Sequence, residues 1–287
     1  MGKRIFLFLA TNLLVVTTVS IVLSIIGLDG NSIAGLAGIC FIYGMLGAFI
    51  SLYISKWTVK KFYKVKIIKE SNNNSKKLFL YNTVKVISKK AGIQMPEVGI
   101  YDSSDPNAFA TGASQNSSLV AFSSAILEGL NEEEIEAVIG HEISHIKNGD
   151  MVTMTLLTGI ANAFVMFLAR IVATIIIELI TDSENGIGYF AYFLIVMTLQ
   201  SIFMLLAYIP INAFSRYREY RADYGAAHLT TPISMINALK ALDSISSTLA
   251  PVKSDEYSVA KINSKSKVSL LSSHPPINQR INALEKL

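Results

Sequence analysis

Charge is scarce in this chain. Asp, Glu, Lys and Arg make up 16% of its 287 residues, against about 25% in soluble globular proteins. Cysteine is scarcer still: Cys40 stands alone inside an apolar run, which excludes a disulfide framework and a thiolate zinc site. Internal repeats are absent, and only four histidines occur. What the chain has instead is apolar mass, 51% hydrophobic residues with a mean hydropathy of +0.44. These residues cluster in long runs, as in an integral membrane protein in contact with the lipid bilayer. The pI near 9.0 does not point to nucleic acid, because the basic residues gather beside the runs, where topology accounts for them.

Four runs are long enough to cross a bilayer, which takes about 20 residues. Ile5–Ile26 follows Lys3 and Arg4; it is longer than a leader and lacks a small-residue cleavage site before Asp29. Ile33–Ile54 comes next, after a linker with Asp29 and no Lys or Arg, so the two form a hairpin. Gly35, Gly38, Gly44 and Gly47 allow its helices to approach closely. Lys56, Lys60, Lys61, Lys64, Lys66 and Lys69 follow and assign this side to the cytoplasm. Val152–Ile180 and Ile187–Ile211 form a second hairpin, its loop carrying Asp182 and Glu184 and no basic residue, with Arg216, Arg218 and Arg221 after it. Arg170 and Glu178 inside the third run read either as reaching the outer headgroups, the preferred reading, or as marking an intramembrane polar contact. The expectation is an α-helical integral membrane protein with four transmembrane helices, both loops outside and both termini in the cytoplasm. It divides into a transmembrane hairpin (1–56), a cytoplasmic part (57–150), a second hairpin (151–211) and a second cytoplasmic part (212–287).

The polar linker Ser71–Lys77 opens the soluble portion. Leu78–Ala91 reads as an amphipathic helix stopped at Gly92, and Val98–Tyr101, Asn107–Ala113 and Ser118–Phe122 read as short strands. Asn131 then caps a helix, with Glu134 completing a capping box and Glu132, Glu133 and Glu134 at the positive end of its dipole. Ile135, Val138, Ile139, Ile143 and Ile146 form its apolar face, and Lys147 with Gly149 supplies the stop. The soluble portion therefore reads as an α+β domain, for which the resemblance given below implies a zincin-like fold.

That helix carries the chemistry. His141 and His145 are four apart, so both imidazoles share one face a turn apart. Tetrahedral zinc needs such convergence, with bonds of about 2.0–2.1 Å. Glu142 flanks the same face as a general base in an H-E-x-x-H pattern, a motif that also occurs by chance. A third ligand is required, and Glu219, in the segment after the fourth run, can fill that place. Asp223, one turn on, can accept a hydrogen bond from a ligating imidazole. His274 introduces a final amphipathic helix with Pro276 near its start. It reads either as an ordinary loop residue or as an oxyanion stabiliser, with Arg280 a turn beyond. His228 reads as structural. Since the His141 helix leads into the third run and the fourth leads into Arg216–Leu229, the site is expected at the cytoplasmic membrane surface.

The segments HEISHIKNGDMVTMTLLTG, NAFATG, SRYREYRAD and SSHPPINQRI, in this order and between paired spans, resemble the HtpX-type membrane-bound zinc endopeptidases of bacterial heat-shock quality control, relatives of the CAAX prenyl proteases. The resemblance covers essentially the whole chain. It implies a gluzincin with one zinc ion on His141, His145 and Glu219, Glu142 as catalytic base, and Asp223 behind the ligands. It further implies that Asn107–Gly112, including Asn107, Ala108, Phe109 and Ala110, aligns the substrate. His274 would assist catalysis and Arg280 would contact substrate. Expected substrates are unfolded or damaged membrane proteins of the bacterial inner membrane. A prenyl-peptide protease would need an enclosed chamber, for which four spans are few, and a zinc-clamped scaffold would need a fourth protein ligand.

Overall fold

The computed structural model describes residues 32–71, 73–180, 188–248 and 272–287. The expected first span and Asp182 and Glu184 of the second hairpin loop lie outside the described residues.

Helix α1 (Ile33–Phe62) runs beyond Ile54 and takes Lys56, Lys60 and Lys61 into its last turns. Strand β1 (Lys66–Ile67), which the sequence pattern did not disclose, is too short to show alternation. Helix α2 (Ser75–Ala91) starts from the Asn74 side chain, which accepts from the Lys77 amide, and ends on Gly92 in the left-handed conformation. Strands β2 (Glu97–Tyr101), β3 (Ala108–Gly112) and β4 (Ser118–Ser123) follow. Gly112, at φ 139°, closes β3 where a Cβ would collide with the Ser117 carbonyl. Helices α3 (Ser124–Gly129), α4 (Glu132–Lys147) and α5 (Asp150–Ile180) come next. Helix α6 (Tyr189–Leu229) joins the expected fourth span and the Arg-rich segment into one helix of 41 residues, about 60 Å long at 1.5 Å per residue. Helices α7 (Pro232–Thr248) and α8 (Ile277–Leu284) complete the set.

Among the described residues, α1, α5 and α6 are long and apolar enough to cross a membrane. The chain divides into two compact units. The first holds the helical stretches up to Ser51 and over Thr155–Ile209. There Gly44 meets Gly159 and Ala163 so closely that an added Cβ would overlap backbone atoms of the facing helix, the small-residue contact expected where lipid offers no hydrophobic drive for association.

The second unit, Leu52–Met154 with Pro210–Leu287, carries the sheet. Its order is β1-β2-β4-β3, with β2 parallel to β4 and β3 antiparallel to β4. Strand β3 therefore occupies one edge. Helix α4 packs on α2, α7, β3 and β4. The sequence marks one apolar face on α4, but every residue from Ala137 to Ile146 is buried. The difference arises because its polar residues turn inward to one another instead of to water.

Candidate metal centre

The capping box expected at Asn131 is formed, with the Asn131 side chain accepting from the Glu134 amide and Glu134 accepting from the Asn131 amide. Helix α4 thus starts at a defined residue, which sets the phase of everything after it. Gly140 and Ser144 lie one residue before each histidine and form a small-residue stripe. A Cβ on Gly140 would sit 3.3 Å from the Ala226 Cα, and one on Gly225 would meet the Ser144 side chain. This approach of α4 to α6 brings Glu219 to the histidines.

His141 Nε2 and His145 Nε2 lie 3.1 Å apart, and each lies 3.5 Å from one oxygen of Glu219. A tetrahedral ion with bonds of 2.0–2.1 Å has ligand–ligand edges of about 3.3 Å. These three donors are the cluster able to hold a metal among the described residues. Their chemistry suits a cation. His141 Nδ1 is 2.9 Å from Asp223 Oδ1 and His145 Nδ1 is 2.6 Å from Asp150 Oδ2. Carboxylates there select a proton on each Nδ1, leaving lone pairs on both facing Nε2 atoms beside an anionic Glu219. All these side chains are buried, and without a cation the donors would repel one another in a poorly hydrated setting.

Protonation in the metal-free chain shows the same demand. Burial opposes charge on His141, yet hydrogen bonds to Asp223 and Glu219 push it up to about 9. Burial likewise opposes charge on Glu219, but His141, His145 and His274 hold it well below the ordinary carboxylate range. Asp223 is lowered despite its burial, chiefly by Arg280 and then by His141.

A cleft of about 200 Å³ opens onto the cluster, lined by Ala108, Phe109, Ala110, His141, Glu142, His145, Asp150, Met151, Arg218, Glu219 and His274. Edge strand β3 forms one wall, and Glu142 reaches the cleft although only 3% exposed. Asn107 precedes that wall; its carbonyl accepts from the Tyr101 hydroxyl and its amide donates to Ser123 Oγ. His274 Nδ1 lies 3.2 Å from Glu219 Oε2, which brings the last loop to the cleft. His228 sits apart, its Nδ1 2.7 Å from the Tyr224 carbonyl.

Arg280 is a correction. Expected to touch substrate, it is 0% exposed and does not line the cleft. It donates to both oxygens of Asp223, Nε at 2.7 Å and Nη2 at 2.5 Å, and burial against its charge is outweighed by Asp223, so its pKa is raised. A periodic position on an amphipathic helix shows that a residue faces inward, not which partner it meets. Asp150 and Arg218, which also line the cleft, carried no expectation as site residues. Asp150 had a signal, an acidic residue directly after the Gly149 stop and five beyond His145.

A histidine pair with an intervening glutamate on one helix, a glutamate on a second, and an edge strand beside them define a zinc metallopeptidase. With its apolar helices it is a multi-pass membrane protein. The chain belongs to peptidase family M48, whose model matches residues 75–287. It is 46% identical over 286 residues to Protease HtpX of Shewanella baltica (strain OS185), covering 98% of this chain and 99% of that protein. Protease HtpX of Shewanella pealeana and that of Shewanella halifaxensis are each 47% identical with the same coverage. Among solved structures, S. mikatae Ste24p shares the fold with a TM-score of 0.67 at 19% identity, over 99% of this chain and 65% of that one.

Proposed function

We propose that the chain is an endopeptidase of the bacterial cytoplasmic membrane that cleaves unfolded or damaged membrane proteins, with its site on the cytoplasmic side. The observation that carries the reading is the convergence of His141, His145 and Glu219 beside Glu142 and the edge strand β3. His141, His145 and Glu219 would hold the zinc. When bound, it supplies Lewis acidity that activates the attacking water and polarises the scissile carbonyl.

The remaining work falls to the chain's own groups. Glu142 takes the proton of the attacking water and returns it to the leaving amine. Its near-complete burial keeps competing water away from that transfer. His274, set by Glu219, donates toward the carbonyl oxygen as charge develops there. Asp223 orients His141, and Arg280 keeps Asp223 ionised.

Strand β3 supports a reading of broad substrate range. Its outer edge can pair with an extended peptide through backbone groups, while Phe109 and the small residues Ala108 and Ala110 leave room for varied side chains. Such pairing favours unfolded segments over folded ones. The runs and flanking charges of the sequence, read as four spans beginning with Ile5–Ile26, with loops outside and both termini inside, support a site on the cytoplasmic side.

Purified protein with an unfolded membrane protein as substrate tests this. Cleavage should need zinc, and Glu142→Gln should retain zinc while losing about 10²–10⁴-fold in rate. Loss of zinc with activity would make Glu142 a ligand, and an unchanged rate would remove it from the mechanism.

A further inference from the structure

The two histidines are held by different pieces of chain. His141 faces Asp223 from α6, backed by Arg280 from α8. His145 faces Asp150, the first residue of α5, whose Oδ2 lies 2.6 Å from Nδ1. The other oxygen, Oδ1, accepts from Arg221 Nη2 on α6. Asp150 is 0% exposed, and these two partners occupy both of its oxygens.

The chain path makes the contact possible. Asn148 ends α4 and Gly149, at φ 67°, reverses the backbone in one residue. Helix α5 then begins with Asp150 turned back on the last turn of α4. A carboxylate serving only to complement the dipole of α5 would function at the surface. This one is removed from water, lies against an imidazole, and has an arginine on its second oxygen.

We propose that Asp150 is the positioning residue for His145, with Arg221 as its counter-ion, so that each metal-binding imidazole is set by its own carboxylate–arginine pair. This rests on the metal reading above. The carboxylate keeps the His145 proton on Nδ1 and the lone pair on Nε2, facing the ion. Arg221, between Glu219 and Asp223 in sequence, ties the start of α5 to the turn of α6 that supplies the third ligand. The Gly149 junction is thereby part of the metal site and more than a connection.

The test uses the full-length protein in detergent, with zinc affinity measured by chelator competition and Co(II) absorption as a probe of ligand geometry. Asp150→Ala should weaken zinc binding about 10–100-fold, the range for an orienting partner, and alter the Co(II) spectrum. Asp150→Asn, which keeps size and an acceptor oxygen but not the charge, should fall between Ala and the parent, and Arg221→Gln should act in the same direction more weakly. Parental affinity and spectrum in both Asp150 variants would overturn the assignment, as would lost activity with unchanged metal binding. Should Asp150→Ala fail to fold, Asp150→Asn decides alone. If the parent bound no zinc, the metal reading itself would fall and take this one with it, whereas a zinc-binding parent with indifferent Asp150 variants would sink only this one.

Discussion

The two compact units solve opposite problems. The unit of apolar helices has few polar groups to satisfy and uses absence of side chain: Gly44 against Gly159 and Ala163, backbone to backbone. The sheet-bearing unit concentrates ionisable groups in its interior and must satisfy each one. His141, Glu142, His145, Asp150, Glu219, Asp223 and Arg280 are all buried there. In the first unit a substitution adds volume where none fits; in the second it leaves a charge with no partner. Errors of the second kind cost more, because removing one partner of a buried ion pair typically costs about 3–5 kcal/mol and overpacking typically about 1–3.

The largest structural effect is therefore expected at Arg280. Arg280→Leu keeps volume but leaves Asp223 uncompensated, and should destabilise the fold by about 3–5 kcal/mol. Denaturant unfolding in detergent checks this, and a loss below about 1 kcal/mol would mean Asp223 finds another cation. Glu219→Ala should lower zinc affinity and activity together by more than the 10–100-fold typical of an orienting group. Zinc binding like the parent's would place the third ligand elsewhere, with His274 the first alternative. Asp223→Ala should cost about 10–100-fold in affinity or activity through His141, besides leaving buried Arg280 without its bidentate partner, and titration beside Glu219→Ala separates the two roles. In the membrane unit, Gly44→Ala should cost about 1–3 kcal/mol by overpacking while leaving zinc affinity intact. Any change in zinc affinity would contradict the contrast between the units.

The contrast also has a pH signature. Metal-free His141 keeps its proton up to about 9, and zinc must displace it. Apparent zinc affinity should climb about tenfold per pH unit below that value and level off above it. The metal-free fold should move oppositely. A raised histidine pKa stabilises fully below the unfolded value of about 6.5 and is lost as pH rises through about 9. Calorimetry of the chelated protein from pH 6 to 10 checks the sign, and a stability that rose over this range would refute it.

Local physics made part of this molecule readable in advance. The capping box at Asn131 and Glu134 and the stop at Gly149 are encoded within a few residues, so the extent of α4 follows from propensity and hydrogen-bonding rules. The four-residue spacing of His141 and His145 guarantees a shared face on any helix. Long apolar runs report membrane-spanning character because hydrocarbon tolerates nothing else. The short elements resisted: β1 spans two residues and α3 six, too few for a period, and α7 carries no motif.

Amino-acid order alone thus determined the apolar helices, α2 and α4, the edge-strand segment and the inventory of donors. Tertiary structure decided which donors meet. Glu219 reaches the histidines because Gly140 and Ser144 let α6 approach at Gly225 and Ala226, a contact between residues some eighty positions apart that no local pattern encodes. Arg280 behind Asp223, and Asp150 turned back onto His145, follow from the same packing. The reason is physical: backbone propensity acts over one or two turns, whereas a buried charge takes whichever partner the packing of helices brings within hydrogen-bond reach.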